Sequence, residues 1–345
     1  MQALYAHGAQ DLRLAACPAG DPGPGELRIA PERGGICGSD LHYFNHGGFG
    51  TVRLREPMIL GHEIAGRVLE TGPGVSGFAA GDLVAVSPSR PCGECGECLR
   101  GLPNHCLNMR FYGSAMPFPH VQGAFRQTLV VAAAQCVPAN GLDPARAAMA
   151  EPLAVALHAV RRAGEIIGRR VLVTGCGPIG VLAILAARRA GAAEIIAADI
   201  AAPALEHAGR AGADRLLDLG AEPDALAPYA AGKGCLDLLL ECSGAQAALA
   251  QGIAALRPRG VVVQLGLSGD MTLPMMQLTA KEIDLRGSFR FHAEFATAVT
   301  LMQKGLIDAA PLITHTFPLA DFARAFATAN DRARAMKVQL DLGAC

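Results

Sequence analysis

The feature that most constrains the fold of this chain is the glycine-rich run Gly175-Cys-Gly-Pro-Ile-Gly180, which stands between an apolar strand-like segment and an apolar helix-like segment. The first glycine permits a tight turn, the second lets the backbone approach a pyrophosphate, and the third lets helix and strand pack closely. The N-terminus of the following helix would then face the phosphates. A run of this kind alone is weak evidence, so its flanking segments decide how it is interpreted.

The sequence around this run alternates between two patterns. Strand-like segments at 171–175, 194–199, 236–242 and 260–266 are each followed by residues at helical spacing. Apolar strands that alternate with amphipathic helices predict an α/β fold with a doubly wound parallel sheet covered on both faces. A dinucleotide site at the glycine run is therefore favoured over a purely structural turn. The predicted cofactor-binding residues are Gly175, Gly177, Pro178, Ile179, Gly180 and Asp199.

Asp199 bears on the choice of dinucleotide, because it closes the second of these strands. A carboxylate at that position accepts hydrogen bonds from a ribose 2′-hydroxyl and repels a 2′-phosphate. No arginine follows it directly. The pattern favours NAD and leaves NADP open.

Length and charge limit the remaining possibilities. A chain of 345 residues fits two domains, and a net charge of −1 gives no reason to expect a nucleic-acid or membrane partner. The first residues lack a basic segment that leads into an apolar run, and the most apolar stretch, 179–187, is too short to cross a bilayer. We expect a soluble, cytoplasmic protein.

Four of the eleven cysteines lie in one 15-residue window with the spacing C-x2-C-x2-C-x7-C. Such spacing folds a short lobe around one tetrahedral ion, and four thiolates leave no position for a substrate. Iron–sulfur sites of similar pattern have a shorter last spacer, and disulfides are not expected in a reducing compartment. The window therefore predicts a structural zinc ion, with the ligands Cys92, Cys95, Cys98 and Cys106.

Other metal-ligating residue types are scattered along the chain. Cys37, His62 and Glu151 together offer a thiolate, an imidazole and a carboxylate. Three such ligands would leave a fourth position open for water or a substrate oxygen. Each residue also has a structural explanation: a small buried thiol, a turn histidine and a carboxylate at a helix start. Spacing alone does not choose between these interpretations.

In combination, the motifs GICGSDLHYF, GHEIAGRVLETG, the four-cysteine window, AEPLAVALHA and GCGPIG resemble the medium-chain zinc alcohol and polyol dehydrogenases over nearly the whole chain. The resemblance implies a β-rich, GroES-like catalytic domain formed by residues 1–146 and 289–345, with a Rossmann domain at 147–288. It implies two zinc ions per chain, NAD(P) as cofactor, an active site in the cleft between the domains, and a homodimer or homotetramer. Residues 265–278 would be the place to look for the contact between subunits.

The resemblance also implies roles for individual residues. Cys37, His62 and Glu151 correspond to the ligands of the catalytic zinc in polyol-type members, and Glu63 to an occasional alternative ligand behind the metal. The remaining correspondences are a hydroxyl that passes on the substrate proton, an outer relay histidine, and a carboxylate that orients the zinc-bound histidine. These are Ser39, His42 and Asp40.

For the substrate, segments 109–125 and 281–299 resemble a sugar-acid dehydrogenase of the family more than its sorbitol or threonine enzymes. A sugar acid needs a partner for its carboxylate, and a guanidinium offers bidentate geometry. Arg290 is the first candidate, although a domain-interface salt bridge explains it equally well, and Arg110 is the second; Tyr43 and His120 are further pocket candidates. Sorbitol, xylitol, galactitol or threonine remain alternative substrates, and a non-catalytic dinucleotide-binding protein is the alternative from another class.

Overall fold

Two units, each with its own main sheet, make up the chain. The computed structural model describes residues 1–267 and 269–343. Unit 1 contains Met1–Glu151, Phe295–Asp331 and the chain from Lys337 onward, whereas unit 2 contains Pro152–Glu294 and Arg332–Met336. Unit 1 is therefore discontinuous in sequence, and its final strand comes from the far end of the chain.

The strands are two to ten residues long in unit 1 and four to nine residues long in unit 2. In chain order they are β1 (Gln2–Gly8), β2 (Asp11–Ala16), β3 (Glu26–Gly35), β4 (Gly48–Phe49), β5 (Val52–Arg53), β6 (Met58–Ile59), β7 (Glu63–Thr71), β8 (Leu83–Val86), β9 (Ser89–Arg90), β10 (Arg110–Phe111), β11 (Leu129–Ala132), β12 (Cys136–Pro138), β13 (Arg170–Thr174), β14 (Glu194–Asp199), β15 (Arg215–Asp218), β16 (Leu236–Glu241), β17 (Leu256–Gln264), β18 (Asp284–Gly287), β19 (Ile313–Pro318) and β20 (Lys337–Asp341).

The α-helices in the same order are α1 (Gly38–His46), α2 (Gly96–Leu99), α3 (Pro144–Ala148), α4 (Ala150–Ala163), α5 (Pro178–Arg189), α6 (Ala202–Arg210), α7 (Gln246–Ala255), α8 (Met275–Lys281), α9 (Glu294–Gln303) and α10 (Phe322–Asn330). Every helix within the described ranges is too short or too polar to cross a bilayer.

Unit 2 is built on a six-stranded parallel sheet with the order β15-β14-β13-β16-β17-β18. Its central strands are buried on both faces and carry runs such as Val171–Val173 and Leu238–Leu240, as expected for a sheet covered by helices. The strand order reverses between β13 and β16. Ligands of doubly wound folds bind at the carboxyl ends of the strands next to such a reversal.

Unit 1 is built on a larger, mainly antiparallel sheet. Its strands lie in the order β12-β8-β7-β3-β20-β19, and β11 also pairs with β3. A second sheet joins β2, β1 and β6. The apolar side chains of β3, β7 and β8 form much of the buried core of the unit. The α/β fold class, with a GroES-like unit and a Rossmann unit, is confirmed.

The structure differs from the sequence-based expectation in two details. Residues 145–164 have an alanine-rich helical pattern, in which Pro152 predicts a kink or break. The break lies instead at Met149, between α3 and α4. Pro152 sits in the first turn of α4, where its missing N–H has no helical partner to lose. The sheet of unit 2 also contains two strands that were not predicted, β15 and β18, each four residues long and each at a sheet edge.

Candidate active site and metal centres

The glycine turn of unit 2 has the geometry that a dinucleotide phosphate requires. Gly175 adopts φ +80°, and a Cβ atom on it would lie 2.6 Å from the backbone of Ser243. A Cβ on Gly180 would lie 1.9 Å from the carbonyl oxygen of Gly175, so helix and strand approach as closely as the sequence predicts. Gly177 is the N-cap of α5 and has nothing within 4 Å of its Cβ position, which leaves room at the helix N-terminus.

Asp199 at the end of β14 is attached to this turn. One carboxylate oxygen accepts a 2.6 Å hydrogen bond from the N–H of Cys176, and the other accepts a 2.9 Å bond from the N–H of Ala201. The carboxylate is therefore held beside the glycine turn, where a ribose would follow the pyrophosphate. Pro178 and Ile179 form the first turn of α5.

A buried group of potential metal ligands lies in unit 1. Ligand atoms of Cys37, His62 and Glu63 all lie within 4.8 Å of one another, and both His62 and Glu63 are buried. Cys37 precedes α1, whereas His62 and Glu63 stand at the start of β7. Antiparallel pairing of Gly35 on β3 with Glu63 on β7 brings the two segments together.

Asp40 connects these segments from behind. It is fully buried in α1, and its carboxylate accepts hydrogen bonds from the N–H of Cys37 at 3.0 Å and of Gly61 at 3.1 Å. Burial is the main cause that raises its pKa. His62 Nδ1 lies 3.8 Å from Asp40 Oδ1 and has no hydrogen-bond partner, although the atom is buried. Asp40 is thus placed to orient the imidazole.

Lys337 is a buried residue of this site that the sequence analysis missed. It lies on β20, and its Nζ donates to both carboxylate oxygens of Glu63 at 2.8 Å and to the carbonyl oxygen of Ile36 at 3.3 Å. The attraction of Glu63 raises the pKa of Lys337 against the lowering effect of burial, which is the largest single cause. The alternating pattern KVQLD of its strand was the one sequence signal for burial. That signal was weak, because a lysine is seldom buried without a partner.

Glu151 is buried in the first turn of α4, near this group but outside the set whose ligand atoms lie within 4.8 Å. Burial raises its pKa to about 8, with Glu63 and Cys37 adding to the rise and His62 opposing it. Glu63, rather than Glu151, completes the compact group in this structure. The assignment of Glu151 as a zinc ligand therefore stays a prediction.

The chemistry of the group fits a divalent cation. Burial, followed by the charge of Glu63, raises the pKa of the Cys37 thiol to about 11. The Cys37 thiol and the Glu151 carboxyl, whose pKa values burial raises, are stabilised as anions when a zinc ion binds beside them. A thiol, an imidazole and a carboxylate also form the mixed set of donors that an open zinc site uses. Cys37, His62, Glu63 and Glu151 are thus suitable residues to hold a metal ion.

The four-cysteine lobe has a different construction. All four sulfur atoms lie within 4.8 Å of one another, with Cys106 Sγ 3.5 Å from Cys92 Sγ and 3.9 Å from Cys95 Sγ. Four thiolates at about 2.3 Å from a tetrahedral zinc ion would be about 3.8 Å apart. The ten described cysteines, which include these four, are free thiols.

Backbone N–H groups surround the sulfur atoms of the lobe. Cys106 Sγ accepts from the N–H groups of Cys92 at 3.2 Å and Asn108 at 3.3 Å, and Cys95 Sγ accepts from Leu107 at 3.5 Å. Backbone donors lower the pKa of Cys92 to about 6, whereas burial raises that of Cys98 to about 12. Most of the lobe is thus preorganised to hold thiolates.

Helix α1 presents the predicted proton-relay residues on one side and buried residues on the other. Asp40 and Tyr43, three positions apart, are buried, whereas Ser39 is half-buried and His42 is exposed. The imidazole of His42 lies 6.1 Å from the ring of Phe49 and also 6.1 Å from that of His46. A hydroxyl followed by an exposed imidazole matches the order that a path from a buried site to solvent requires.

The predicted substrate residues occupy different environments. Buried Tyr43 uses its hydroxyl to accept the N–H of Ala115 at 2.9 Å. Both ring nitrogens of buried His120 are engaged, Nε2 with the N–H of Arg55 at 2.9 Å and Nδ1 with the carbonyl of Pro117 at 2.9 Å. These contacts fix a neutral imidazole with the proton on Nδ1, which favours a structural role for His120.

The two candidate arginines lie in separate units. Arg110 is exposed on β10, next to Phe111, whose ring lies 5.5 Å from that of His62. Arg290 belongs to unit 2, adopts a left-handed φ of +54°, and stacks its guanidinium 5.0 Å from the Phe289 ring. A non-glycine residue in this conformation is uncommon and often marks a functional position.

Comparison with known proteins identifies the class. Residues 23–141 match the alcohol dehydrogenase GroES-like domain family, and residues 178–304 match the zinc-binding dehydrogenase family. The chain is 45% identical over 314 residues to L-idonate 5-dehydrogenase (NAD(P)(+)) of Escherichia coli strain K12, across 89% of each protein. It is 36% identical to human sorbitol dehydrogenase across 94% of this chain and 91% of that one.

Solved structures agree with the sequence matches. The crystal structure of L-idonate 5-dehydrogenase from E. coli K-12 aligns with a TM-score of 0.92 and 41% identity, over 99% of this chain and 97% of that one. The predicted resemblance, including its leaning toward the L-idonate enzyme, is confirmed, as are zinc and NAD(P) as the cofactors of its class. Similarity at 45% and 36% identity to two dehydrogenases favours an enzyme over the non-catalytic dinucleotide-binding alternative. This chain belongs to the zinc-dependent alcohol dehydrogenase family.

Proposed function

We propose that this enzyme catalyses the reversible oxidation of L-idonate to 5-dehydro-D-gluconate, with hydride transfer to NAD(P). The observation that carries the proposal is the compact Cys37, His62 and Glu63 group in a chain 45% identical to an L-idonate 5-dehydrogenase. Substrate and reaction both follow from that relative. Segments 109–125 and 281–299 are the parts of the sequence that first favoured a sugar acid.

Within the site, Cys37, His62 and Glu151 would hold the catalytic zinc, with Glu63 as an alternative ligand kept in place by Lys337. When bound, zinc supplies a Lewis acid that lowers the pKa of a substrate hydroxyl into the neutral range. Asp40 keeps the His62 imidazole oriented. The buried surroundings keep bulk water away from the reacting carbon.

The proton and the hydride leave the substrate along separate routes. The half-buried Ser39 hydroxyl would accept the substrate proton and release its own through a ribose hydroxyl to exposed His42, which returns it to solvent. A bound dinucleotide would accept, at C4 of its nicotinamide, the hydride from the carbon that bears the substrate hydroxyl, and that carbon would become a carbonyl. The glycine turn and Asp199 would hold the dinucleotide, and the Asp199 carboxylate favours NAD over NADP.

The substrate carboxylate requires a cationic partner. Arg290 is the first choice because its strained backbone suggests a functional constraint, and exposed Arg110 is the second. Tyr43 would shape the pocket through its fixed hydroxyl. If Arg290 instead forms a salt bridge at a domain interface, its replacement should lower the stability of the protein and leave the KM for L-idonate unchanged.

The direct test is an assay of the purified enzyme on L-idonate, sorbitol, xylitol, galactitol, L-arabinitol and threonine with NAD and with NADP. The proposal expects the highest kcat/KM with L-idonate. A polyol enzyme is the second candidate, which the similarity to sorbitol dehydrogenase favours. Turnover of sorbitol without turnover of L-idonate would replace the substrate and leave the enzyme class intact.

The cysteine lobe would hold the second, structural zinc through Cys92, Cys95, Cys98 and Cys106.

We also propose a homodimer or homotetramer formed along the free edge of the unit 2 sheet at β18. Exposed Met275 and Met276 lie in the expected segment 265–278, of which Ser268 is outside the described residues. Light scattering coupled to gel filtration, with Met276→Glu as the variant, tests this assembly. The free thiols suit a cytoplasmic location.

A further inference from the structure

A fully buried carboxylate stands at the carboxyl edge of the unit 2 sheet, where none of the roles above uses it. Glu241 is the last residue of β16 and has no exposed surface. In register it lies opposite Thr174, the last residue of β13, and Gln264, the last residue of β17. Three adjacent strands therefore end in a row of polar side chains, on both sides of the strand-order reversal.

The Glu241 carboxylate is saturated by neutral donors. Its Oε1 accepts from Thr174 Oγ1 at 3.3 Å, from the N–H of Ser243 at 2.9 Å, from the N–H of Gly244 at 3.1 Å and from the Ser243 hydroxyl. Its Oε2 accepts from Gln264 Nε2 at 2.6 Å and from Gly244 at 3.1 Å. Among the described residues, no basic side chain forms a salt bridge with it. Burial of a carboxylate that has hydrogen bonds but no salt bridge costs folding free energy. Its presence here therefore points to a use for the geometry that it imposes.

That geometry reaches the glycine turn. Ser243 packs so closely against Gly175 that a Cβ on Gly175 would lie 2.6 Å from the Ser243 nitrogen. On the other side, a Cβ on Gly266 would lie 2.1 Å from the nitrogen of Gly244. The turn after β16 is thus wedged between the turns after β13 and β17, and Glu241 holds all three. Those turns form the rim at which a doubly wound fold binds its dinucleotide.

We infer that Glu241 is a positioning residue for the dinucleotide, because its carboxylate fixes the Ser243–Gly244 turn against the glycine turn at Gly175. The inference rests on the proposed binding of the cofactor at that turn. Glu241 does not need to contact the cofactor. It sets the relative position of backbone segments that do.

The same strand offers a matched control. Asp237 near the opposite end of β16 is also a buried carboxylate, and it accepts from the N–H of Arg170 at 2.7 Å and pairs with Arg257 at 2.6 Å. It lies at the amino end of the strand, away from the crevice. Asp237→Asn should therefore affect the stability of unit 2 without affecting the cofactor.

The test compares Glu241→Gln with Asp237→Asn in the zinc-loaded enzyme. For Glu241→Gln we expect the Kd of NADH, from fluorescence titration, and the KM of NAD to rise at least about 10-fold, the equivalent of one lost hydrogen bond to a charged group. The kcat at saturating NAD should stay within about threefold, since the bound cofactor restores the turn. Asp237→Asn should leave Kd and KM unchanged.

Ser243→Ala provides a milder variant if Glu241→Gln fails to fold. It removes a single hydroxyl donor and should raise the Kd of NADH by about 3- to 10-fold. The inference is overturned if Ser243→Ala or folded Glu241→Gln binds NADH as the wild type does, or if Asp237→Asn weakens binding equally. Failure of the wild-type enzyme to bind NADH or NADPH would instead refute the proposed function.

Discussion

The cysteine lobe and the group formed by Cys37, His62 and Glu63, here called the Cys37 group, both consist of potential zinc ligands. Their construction differs in almost every respect. The lobe draws four thiols from 15 consecutive residues and surrounds them with backbone N–H donors. The Cys37 group takes its members from distant strands and helices, mixes sulfur, nitrogen and oxygen, and buries a lysine beside them. The lobe is a self-contained fold, whereas the Cys37 group depends on the tertiary structure of unit 1.

This difference suits two uses of one metal. A closed set of four thiolates gives stability and admits no substrate. A buried set with a mixed ligand field, fewer protein ligands and a nearby spare carboxylate leaves a position for substrate oxygen. The following predictions test whether function and stability really divide between the two regions in this way.

The largest effect is expected on activity from Cys37→Ser. Loss of the Lewis acid removes several kcal/mol of transition-state stabilisation, so kcat/KM should fall by at least about 1,000-fold. Elemental analysis should show one zinc fewer per chain while circular dichroism stays native. Cys136→Ser, at a buried cysteine of unit 1 outside both groups of ligands, is the control and should keep both zinc ions. A fully active Cys37→Ser enzyme would remove Cys37 from the ligand set.

Lys337→Met tests whether the Cys37 group depends on its distant counter-charge. Removal of one partner of a buried ion pair leaves Glu63 uncompensated, and the free energy of unfolding should fall by about 3–5 kcal/mol in urea titrations. The double variant with Glu63→Gln should recover much of this loss. Equal destabilisation in the single and double variants would mean that the lysine acts by packing rather than by charge.

Cys95→Ser should damage stability first. A zinc ion in the lobe closes a loop of about 15 residues, and such a crosslink is worth about 3 kcal/mol. We expect a lower thermal midpoint, one zinc fewer per chain, and a specific activity per folded molecule within about twofold of the wild type. If activity falls as far as in Cys37→Ser, the two regions do not divide stability and function.

Asp40→Asn should give the smallest effect. Asparagine keeps the shape of Asp40 but weakens its acceptance of the Cys37 and Gly61 N–H groups and its hold on His62. A residue behind a ligand typically contributes 10- to 100-fold in affinity, so chelator competition should show a loss of about that size for one zinc only. Asn108→Ala in the lobe, which removes a 3.7 Å contact to Cys92 Sγ, should cost less.

The same contrast explains how far the sequence alone could lead. The cysteine window and the glycine run are predictable because each encodes its geometry within a few residues. The pairing of Cys37 with His62 needed family resemblance, since nothing in the spacing of residues 37 and 62 brings them together; Glu63, rather than Glu151, completes the compact group. Lys337 was missed because its partner Glu63 lies 274 positions away in the chain. The edge strands β15 and β18 were missed because four residues that begin with a charged side chain carry little strand pattern.

The position of Lys337 has a consequence for how the protein is made. The ribosome produces Cys37, His62 and Glu63 first, but the cation that neutralises Glu63 follows only with β20, 274 positions after Glu63. Strand β20 also fills the place between β3 and β19 in the sheet of unit 1. A nascent chain stalled before Lys337 would therefore carry an open sheet and an uncompensated acidic centre, while its cysteine lobe could already have folded around zinc.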